Sequence, residues 1–351
     1  MKNILVTGGT GFIGSHTCLV LIENGYKVFV IDSFENSSPK SIERVMKIYK
    51  NKNKNKNNEI IEIFEGSICD KKFLTNVFSD LEKANTRIDG VIHFAGYKAV
   101  AESINNPLLY WRNNLIGSIN LLDVMSKFEC DNLVFSSSAT IYKTQKNLPL
   151  KESSDIHPIN PYGNTKNSIE ILMRDLFNSS NKKWKFASLR YFNPIGAHES
   201  GLIGEDPKGI PNNIFPLISN TALGIQKILK VYGGDWPTPD GTPIRDYIHV
   251  MDLAEAHLKV LEKIIYCDSI CLNINVGTGK GTSVLDLIKT FESVNNIIVP
   301  YQFSNRREGD AAYIVADNTL LSSKYKLKPK RSLEDMCRDG WNWKKLNPKG
   351  F

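Results

Sequence analysis

Short apolar runs alternate with amphipathic stretches through the first 190 residues. The runs Lys2–Thr7, Lys27–Asp32, Ile60–Phe64, Asp89–His93, Asn132–Ser136 and Trp184–Tyr191 have the length and continuity of buried strands. Between them, Phe12–Asn24, Lys71–Glu82, Leu108–Lys127 and Asn160–Asn178 carry helical periodicity. This alternation predicts an α/β fold, a Rossmann-type doubly wound parallel sheet with right-handed crossovers and helices on both faces. After Tyr191 the texture becomes turn-rich, as in Asn193-Pro194-Ile195-Gly196 and Trp236-Pro237-Thr238-Pro239-Asp240-Gly241. Arg245–Ile265 then reads as helix and Leu272–Val276 as strand. The pattern predicts one domain over residues 1–190 and a smaller mixed α/β domain over 191–351, with 245–276 packing back on the first.

The first apolar run opens directly onto Gly8-Gly9-Thr10-Gly11-Phe12-Ile13-Gly14. Glycines let such a turn be tight and let its backbone approach a pyrophosphate, while the next helix N-terminus presents unpaired N–H groups to the anion. The second strand ends in Asp32, eighteen residues after Gly14, where an acid binds a ribose diol. An acid there repels a 2′-phosphate, so the pattern favours NAD over NADP. The fourth strand runs into Phe94-Ala95-Gly96, small residues against which a cofactor can lie.

Tyr162 and Lys166 are four residues apart on one helix face, and Ser138 lies at the end of the fifth strand. A free phenol titrates near 10 and is a poor base at neutral pH; a neighbouring ammonium that favours phenolate brings it into range. Ser138 supplies a hydroxyl to orient a substrate oxygen. Tyrosine, lysine and serine beside a dinucleotide turn outline hydride-transfer chemistry.

Composition narrows the setting. No apolar stretch reaches the ~20 residues that span a bilayer, and no signal-peptide pattern is present, which predicts a cytoplasmic protein. The net charge of +7 is concentrated in the alternating Lys/Asn tract at about 50–58, which reads as a disordered surface insertion rather than a nucleic-acid patch. The six cysteines complete no zinc motif and read as reduced thiols.

With these motifs on the page, the sequence resembles the extended short-chain dehydrogenase/reductase family, in particular its nucleotide-sugar epimerases. The resemblance runs through Thr7–Thr17, Val91–Ser103, Phe135–Tyr142, Pro161–Lys166, Leu189–Ala197, Gly204–Asn213, Arg245–Leu253 and Arg306–Asp310. It implies reversible inversion at C4 of a UDP-sugar through a 4-keto intermediate, on a resident NAD. Tyr162 would take the 4-hydroxyl proton, Ser138 would bind the same oxygen, and Lys166 would lower the phenol pKa and hold the nicotinamide ribose. Phe12 and Ile13 would line the pyrophosphate turn with Gly8, Gly11 and Gly14. Asp32, Ser33, Ser67, Ile68, Phe94, Ala95, Gly96, Lys98 and Asn113 would contact cofactor, with Tyr191 and Phe192 near the nicotinamide. On the substrate side, Lys98, Asn193 and Asn213 would bind the nucleotide sugar. Tyr232 would lie near uracil, Arg245 and Arg307 would clamp the diphosphate, and Asp310 would bind the uridine ribose. No metal is implied, and the apolar faces of Leu108–Lys127 and Asn160–Asn178 imply a homodimer.

The chain departs from the family pattern at Ser67, where an Asp is frequent, at Ser33 in place of Asn, in the Lys/Asn tract, and at Ile314. Some relatives carry a bulky Tyr at the Ile314 position; a non-aromatic residue leaves room for an N-acetyl group. The alternatives are a uronate epimerase, a 4,6-dehydratase and a non-catalytic NAD sensor. Ala139-Thr140-Ile141 after Ser138 lacks the carboxylate a dehydratase needs, and a sensor needs no tuned phenol.

Overall fold

The structure, a computed structural model, describes residues 1–53, 60–143, 149–179, 184–209, 211, 213–307 and 309–351. The chain forms two compact units built from interleaved segments. The first comprises Met1–Ile141, Pro158–Arg190 and Ala254–Ile274, and the second Tyr142–His157, Tyr191–Leu253 and Asn275–Phe351.

In the first unit, β1 (Asn3–Thr7), β2 (Lys27–Asp32), β3 (Ile61–Glu65), β4 (Gly90–His93), β5 (Asn132–Ser138), β6 (Lys185–Tyr191) and the strand Ile270–Val276 make one seven-stranded sheet. Its order is Ile270–Val276, β6, β5, β4, β1, β2, β3, and every pairing from β3 through β5 is parallel. The Rossmann-type sheet expected from the apolar runs is therefore present, with all seven predicted strands in it. Leu5, Phe29, Val91, Leu133, Phe135 and Phe186 line a core into which the helices set Leu74, Leu121, Met125 and Met173. Each such side chain contributes roughly 1.5–3 kcal/mol on burial.

The helices are α1 (Phe12–Glu23), α2 (Lys40–Lys52), α3 (Lys71–Lys83), α4 (Val100–Asn105), α5 (Pro107–Tyr110), α6 (Gly117–Lys127) and α7 (Pro161–Ser179). Two expectations need correction. The insertion expected at about 50–58 begins too early, because Lys50, Asn51 and Lys52 close α2; the remaining 54–58 lie outside the described residues. The buried residues Ile42, Val45, Ile48 and Tyr49 give α2 an apolar stripe that outweighs its polar composition. The single helix expected over Leu108–Lys127 is interrupted between α5 and α6 by a π-helical turn, Trp111–Ile116.

The second unit has small sheets: Asn193–Ile195 pairs with Tyr247–His249, Leu229–Tyr232 with Tyr301–Ser304, and Ile244–Arg245 with both Thr282–Ser283 and Tyr313–Ile314. The helix expected from Arg245 starts only at Val250. Residues 244–249 are extended because the Asp246 carboxylate accepts hydrogen bonds from the backbone N–H groups of Thr278, Gly279 and Ala316 at 2.8, 2.9 and 3.2 Å. Its core packs Ile218, Val231, Leu287, Ile288 and Phe291 against Met336 and Trp341. Among the described residues no helix is long and apolar enough to cross a membrane.

Candidate active site

The glycine turn joins β1 to α1. Gly8 sits at φ +70°, and a Cβ there would meet the Ala95 backbone nitrogen at 2.7 Å. A Cβ on Gly14 would lie 2.2 Å from the Gly8 carbonyl oxygen, so the turn closes only on glycine. At Gly11 a Cβ would meet the Gly8 oxygen alone, at 3.3 Å, leaving its other side open. Gly11 is the N-cap of α1, provides no side-chain cap, and no acid occupies the first helical turn. These are the features an anion needs at a helix N-terminus.

Asp32, at the end of β2, reaches back to this turn. Its Oδ2 accepts from the Thr10 N–H at 3.0 Å, and its Oδ1 from the Phe34 N–H at 3.1 Å and the Ser37 hydroxyl at 2.8 Å. Thr10 donates to Ser37 at 2.7 Å, and Ser41 of α2 donates to the Thr10 carbonyl at 2.8 Å. Thr10, Ser37 and Ser41 are therefore parts of the turn that the glycine motif did not point to. The tight backbone, the open face of Gly11 and the strand-end acid fit a dinucleotide. Ser33 is exposed, Ile68 buried, and the Ser67 hydroxyl accepts from the Cys69 N–H at 3.2 Å. Phe12, Ile13, Phe94 and Ala95 are partly exposed, whereas Gly96 and Lys98 are exposed.

Behind Phe94–Gly96, the His93 ring lies between Thr7 Oγ1 at 2.6 Å and Ser118 Oγ at 2.9 Å. Ser118 donates its own proton to the Asn114 carbonyl at 2.6 Å, so the bond network assigns the His93 proton to Nε2, with Nδ1 accepting from Thr7. Burial, reinforced by the Lys166 charge, pushes His93 down to about 3, so it remains neutral. The Asn113 amide lies 4.0 Å from the Cys69 sulfur, and its carbonyl accepts from that thiol at 3.8 Å. Its neighbour Asn114 is the more connected residue: its side chain accepts from the Tyr97 N–H at 2.8 Å and donates to the Tyr97 carbonyl and Thr165 hydroxyl at 3.0 and 3.1 Å.

Ser138, Tyr162 and Lys166 converge at the end of β5, all three buried. Lys166 Nζ donates to the Ser136 carbonyl at 2.7 Å and sits 4.8 Å from the Phe135 ring centroid and 5.8 Å from that of Tyr162. Ser138 Oγ accepts from the Thr140 N–H at 3.2 Å and from the Thr140 hydroxyl at 3.0 Å. With its lone pairs engaged by Thr140, Ser138 keeps a proton to give, and its hydroxyl lowers the phenol pKa of Tyr162. The net effect is the reverse of the sequence expectation, because burial dominates and pushes Tyr162 up to about 12. The same burial brings Lys166 down to about 7. Helical spacing places an ammonium beside a phenol but carries no information about desolvation, which disfavours the charged form of both.

In the second unit, Arg245 donates to Asp310 Oδ1 at 2.7 Å and to the carbonyls of Ile244 and Ala311 at 2.9 and 2.8 Å. The Arg307 guanidinium stacks 3.9 Å above the Tyr232 ring, and Arg306, not singled out by the sequence, stacks 4.1 Å above Trp236. Ile314 pairs in register with Arg245. Asn193 begins the strand facing Tyr247, while the Asn213 amide donates to Glu205 at 2.9 Å. Phe192 and Tyr191 are buried in this unit. The four predicted residues Arg245, Asp310, Arg307 and Tyr232 thus form two pairs, whereas Asn193 and Asn213 belong to neither.

A family model described as GDP-mannose 4,6 dehydratase matches residues 5–340. UDP-glucose 4-epimerase 2 of Arabidopsis thaliana is 46% identical, over 100% of this chain and 97% of its own length. UDP-glucose 4-epimerase of Bacillus subtilis is 45% identical, over 99% of this chain and 98% of its own. Among solved structures, UDP-glucose 4-epimerase from Bifidobacterium longum in complex with NAD+ and UDP aligns over 100% of both chains, with 42% identity and a TM-score of 0.92. A strand-end serine beside a Tyr-x-x-x-Lys helix, a glycine turn closed by Asp32 and full-length likeness of this degree make the chain a member of the UDP-glucose 4-epimerase family, within the extended short-chain dehydrogenases/reductases.

Proposed function

We propose that this protein interconverts UDP-glucose and UDP-galactose by inverting C4 through a 4-keto intermediate. The observation that carries the reading is the convergence of Ser138, Tyr162 and Lys166 at the end of β5 in the unit that bears the glycine turn. Bound NAD supplies the hydride acceptor and donor for the sugar C4 and, when oxidised, a positive charge on its nicotinamide ring. Gly8, Gly11, Gly14 and Asp32 hold it, with Phe12, Ile13 and the Phe94–Lys98 segment around it. Ser138, its lone pairs filled by Thr140, donates to the 4-oxygen and orients it. Tyr162 receives the proton of the 4-hydroxyl and returns it after the sugar has turned. Lys166, with a value near neutrality, favours phenolate whenever it is protonated. Arg245 and Arg307 hold the diphosphate, and Asp310 and Tyr232 the uridine.

The dehydratase alternative needs an acid–base pair after the strand-end hydroxyl, and the turn Ala139–Ile141 offers no carboxylate. A homodimer and a cytoplasmic location belong to the proposal. Ile104, Leu108, Leu109, Ile116, Ile119 and Ile171 are exposed on α4 through α7, a stripe that a second copy would cover. Sedimentation velocity returning a monomer at micromolar concentration would exclude the dimer.

The deciding experiment is to incubate the purified protein, without added cofactor, with UDP-galactose, to assay UDP-glucose, and to extract bound NAD(H). Conversion with co-purified NAD+ is expected. Bound NAD without conversion would sink the substrate assignment, and absence of bound NAD would sink the cofactor reading. UDP-GlcNAc in the same assay tests the room left by Ile314, where conversion is expected.

A further inference from the structure

Tyr162, Lys166 and Glu170 succeed one another at intervals of four on α7, so they share one face. Three consecutive residues at the end of β5 meet that face. The Ser138 hydroxyl acts on the Tyr162 phenol, the Ser136 carbonyl accepts from Lys166 at 2.7 Å, and the Ser137 hydroxyl donates to Glu170 Oε1 at 2.5 Å. Glu170 is also gripped by Arg190 of β6, whose Nε lies 3.0 and 3.2 Å from the two carboxylate oxygens and whose Nη2 lies 2.6 Å from Oε2. With the Asn273 amide turned so that its nitrogen faces the Leu272 carbonyl, Arg190 Nη2 also donates to its side-chain oxygen at 3.0 Å. Both members of the ion pair are at least nine-tenths buried. A buried pair of this kind rarely raises stability over a well-packed apolar pair, so its retention calls for another reason.

We propose that the Glu170–Arg190 pair is a positioning element of the catalytic helix. It fixes α7 in register against the end of β5 and keeps a neutralised rather than a net charge one helical turn from Lys166. The inference rests on the reading of Tyr162 and Lys166 as catalytic residues. The groups that face Lys166 are Tyr162, the Ser136 carbonyl, the Phe135 ring and His93. Those around Glu170 are Ser137, Arg190, Cys271 and Arg174.

Cancellation makes a signed prediction. Glu170→Gln leaves the Arg190 cation uncompensated and should lower the Lys166 titration midpoint. Arg190→Met leaves the Glu170 anion and should raise it. Each displacement should be about one pH unit, and the double variant should return the midpoint to its wild-type position. The midpoint is read on the NAD-loaded protein by titrating lysine ¹³Cε resonances, assigned with Lys166→Met. This readout does not depend on turnover, so it stands or falls separately from the sugar assignment. In the UDP-galactose assay both single variants should lose about 10–100-fold in kcat with KM within twofold, because misplacing the reacting groups costs rate more than binding. Displacement in the same direction in both variants, or none in either, would reduce the pair to a structural tie and overturn the proposal. Should Glu170→Gln fail to fold, Arg190→Met against the double variant carries the same test. A raised midpoint that the double variant restores supports the proposal, and identical midpoints overturn it.

Discussion

The two compact units earn their chemistry differently. In the first, reactive groups stand at strand ends. Thr7, Asp32, His93 and Ser138 each end a strand of one sheet, and backbone register places them before any side chain is chosen. In the second, sheets are only two or three strands wide, and side chains clamp the backbone: Asp246 holds Thr278 and Gly279, Asn275 donates to the Leu150 carbonyl at 2.7 Å, and Asp252 accepts from the N–H groups of Lys330 and Arg331 at 3.0 Å each. Changes in the first unit should therefore strike the chemical step, and changes in the second should strike binding and local stability.

The largest expected effect is at Tyr162. Tyr162→Phe removes the proton acceptor without removing the ring, so kcat should fall about 10²–10⁴-fold while NAD content and thermal midpoint hold. Near-full turnover would remove Tyr162 as the base. Lys166→Met comes next and is read as stability against pH. The folded value near 7 lies below the ordinary 10.5, so between these the unfolded chain holds the extra proton. Wild-type stability relative to Lys166→Met should therefore rise as pH goes from 7 toward 10.5 and be flat below 7. The change is on the order of a few kcal/mol in paired denaturant titrations. A difference independent of pH would show that Lys166 is charged when buried.

Effects in the second unit should be smaller and of another kind. Arg245→Lys keeps the charge but loses the fork that spans Asp310 and two carbonyls, so KM for UDP-galactose should rise about tenfold with kcat nearly unchanged. A fall in kcat at constant KM would place Arg245 in the chemical step and break the division between the units. Smallest is Ser332→Ala, which opens the capping box of helix Leu333–Leu346 and should cost about 1 kcal/mol with unchanged kinetics.

Legibility follows the same division. The strands of the first unit announce themselves because burial on both faces demands continuous apolar runs, and Gly8–Gly14, Ser138, Tyr162 and Lys166 lie within short spacings. What the chain conceals is set by distant partners. Thr140 matters only because Ser138 needs its lone pairs filled, and Asn114 only because Tyr97 and Thr165 come to it. Residues 244–249 are pulled out of helix by an aspartate whose partners lie at least 32 positions away. The stripe of α2 was present in the sequence, but the lysines and asparagines around it obscured it. The sign of the Tyr162 shift needed burial, which no spacing reports.

The π-helical turn at Trp111–Ile116 sets where Asn114 points. Such a turn holds one residue more than an α-helical path through the same space. An ordinary α-helix would be the easier backbone. Excision of one residue from this segment should restore it, and in doing so would rotate Asn114 away from Tyr97 and Thr165. The extra residue thus holds Asn114 between the Tyr97 loop and Thr165 of α7, a link that a straight helical path would break.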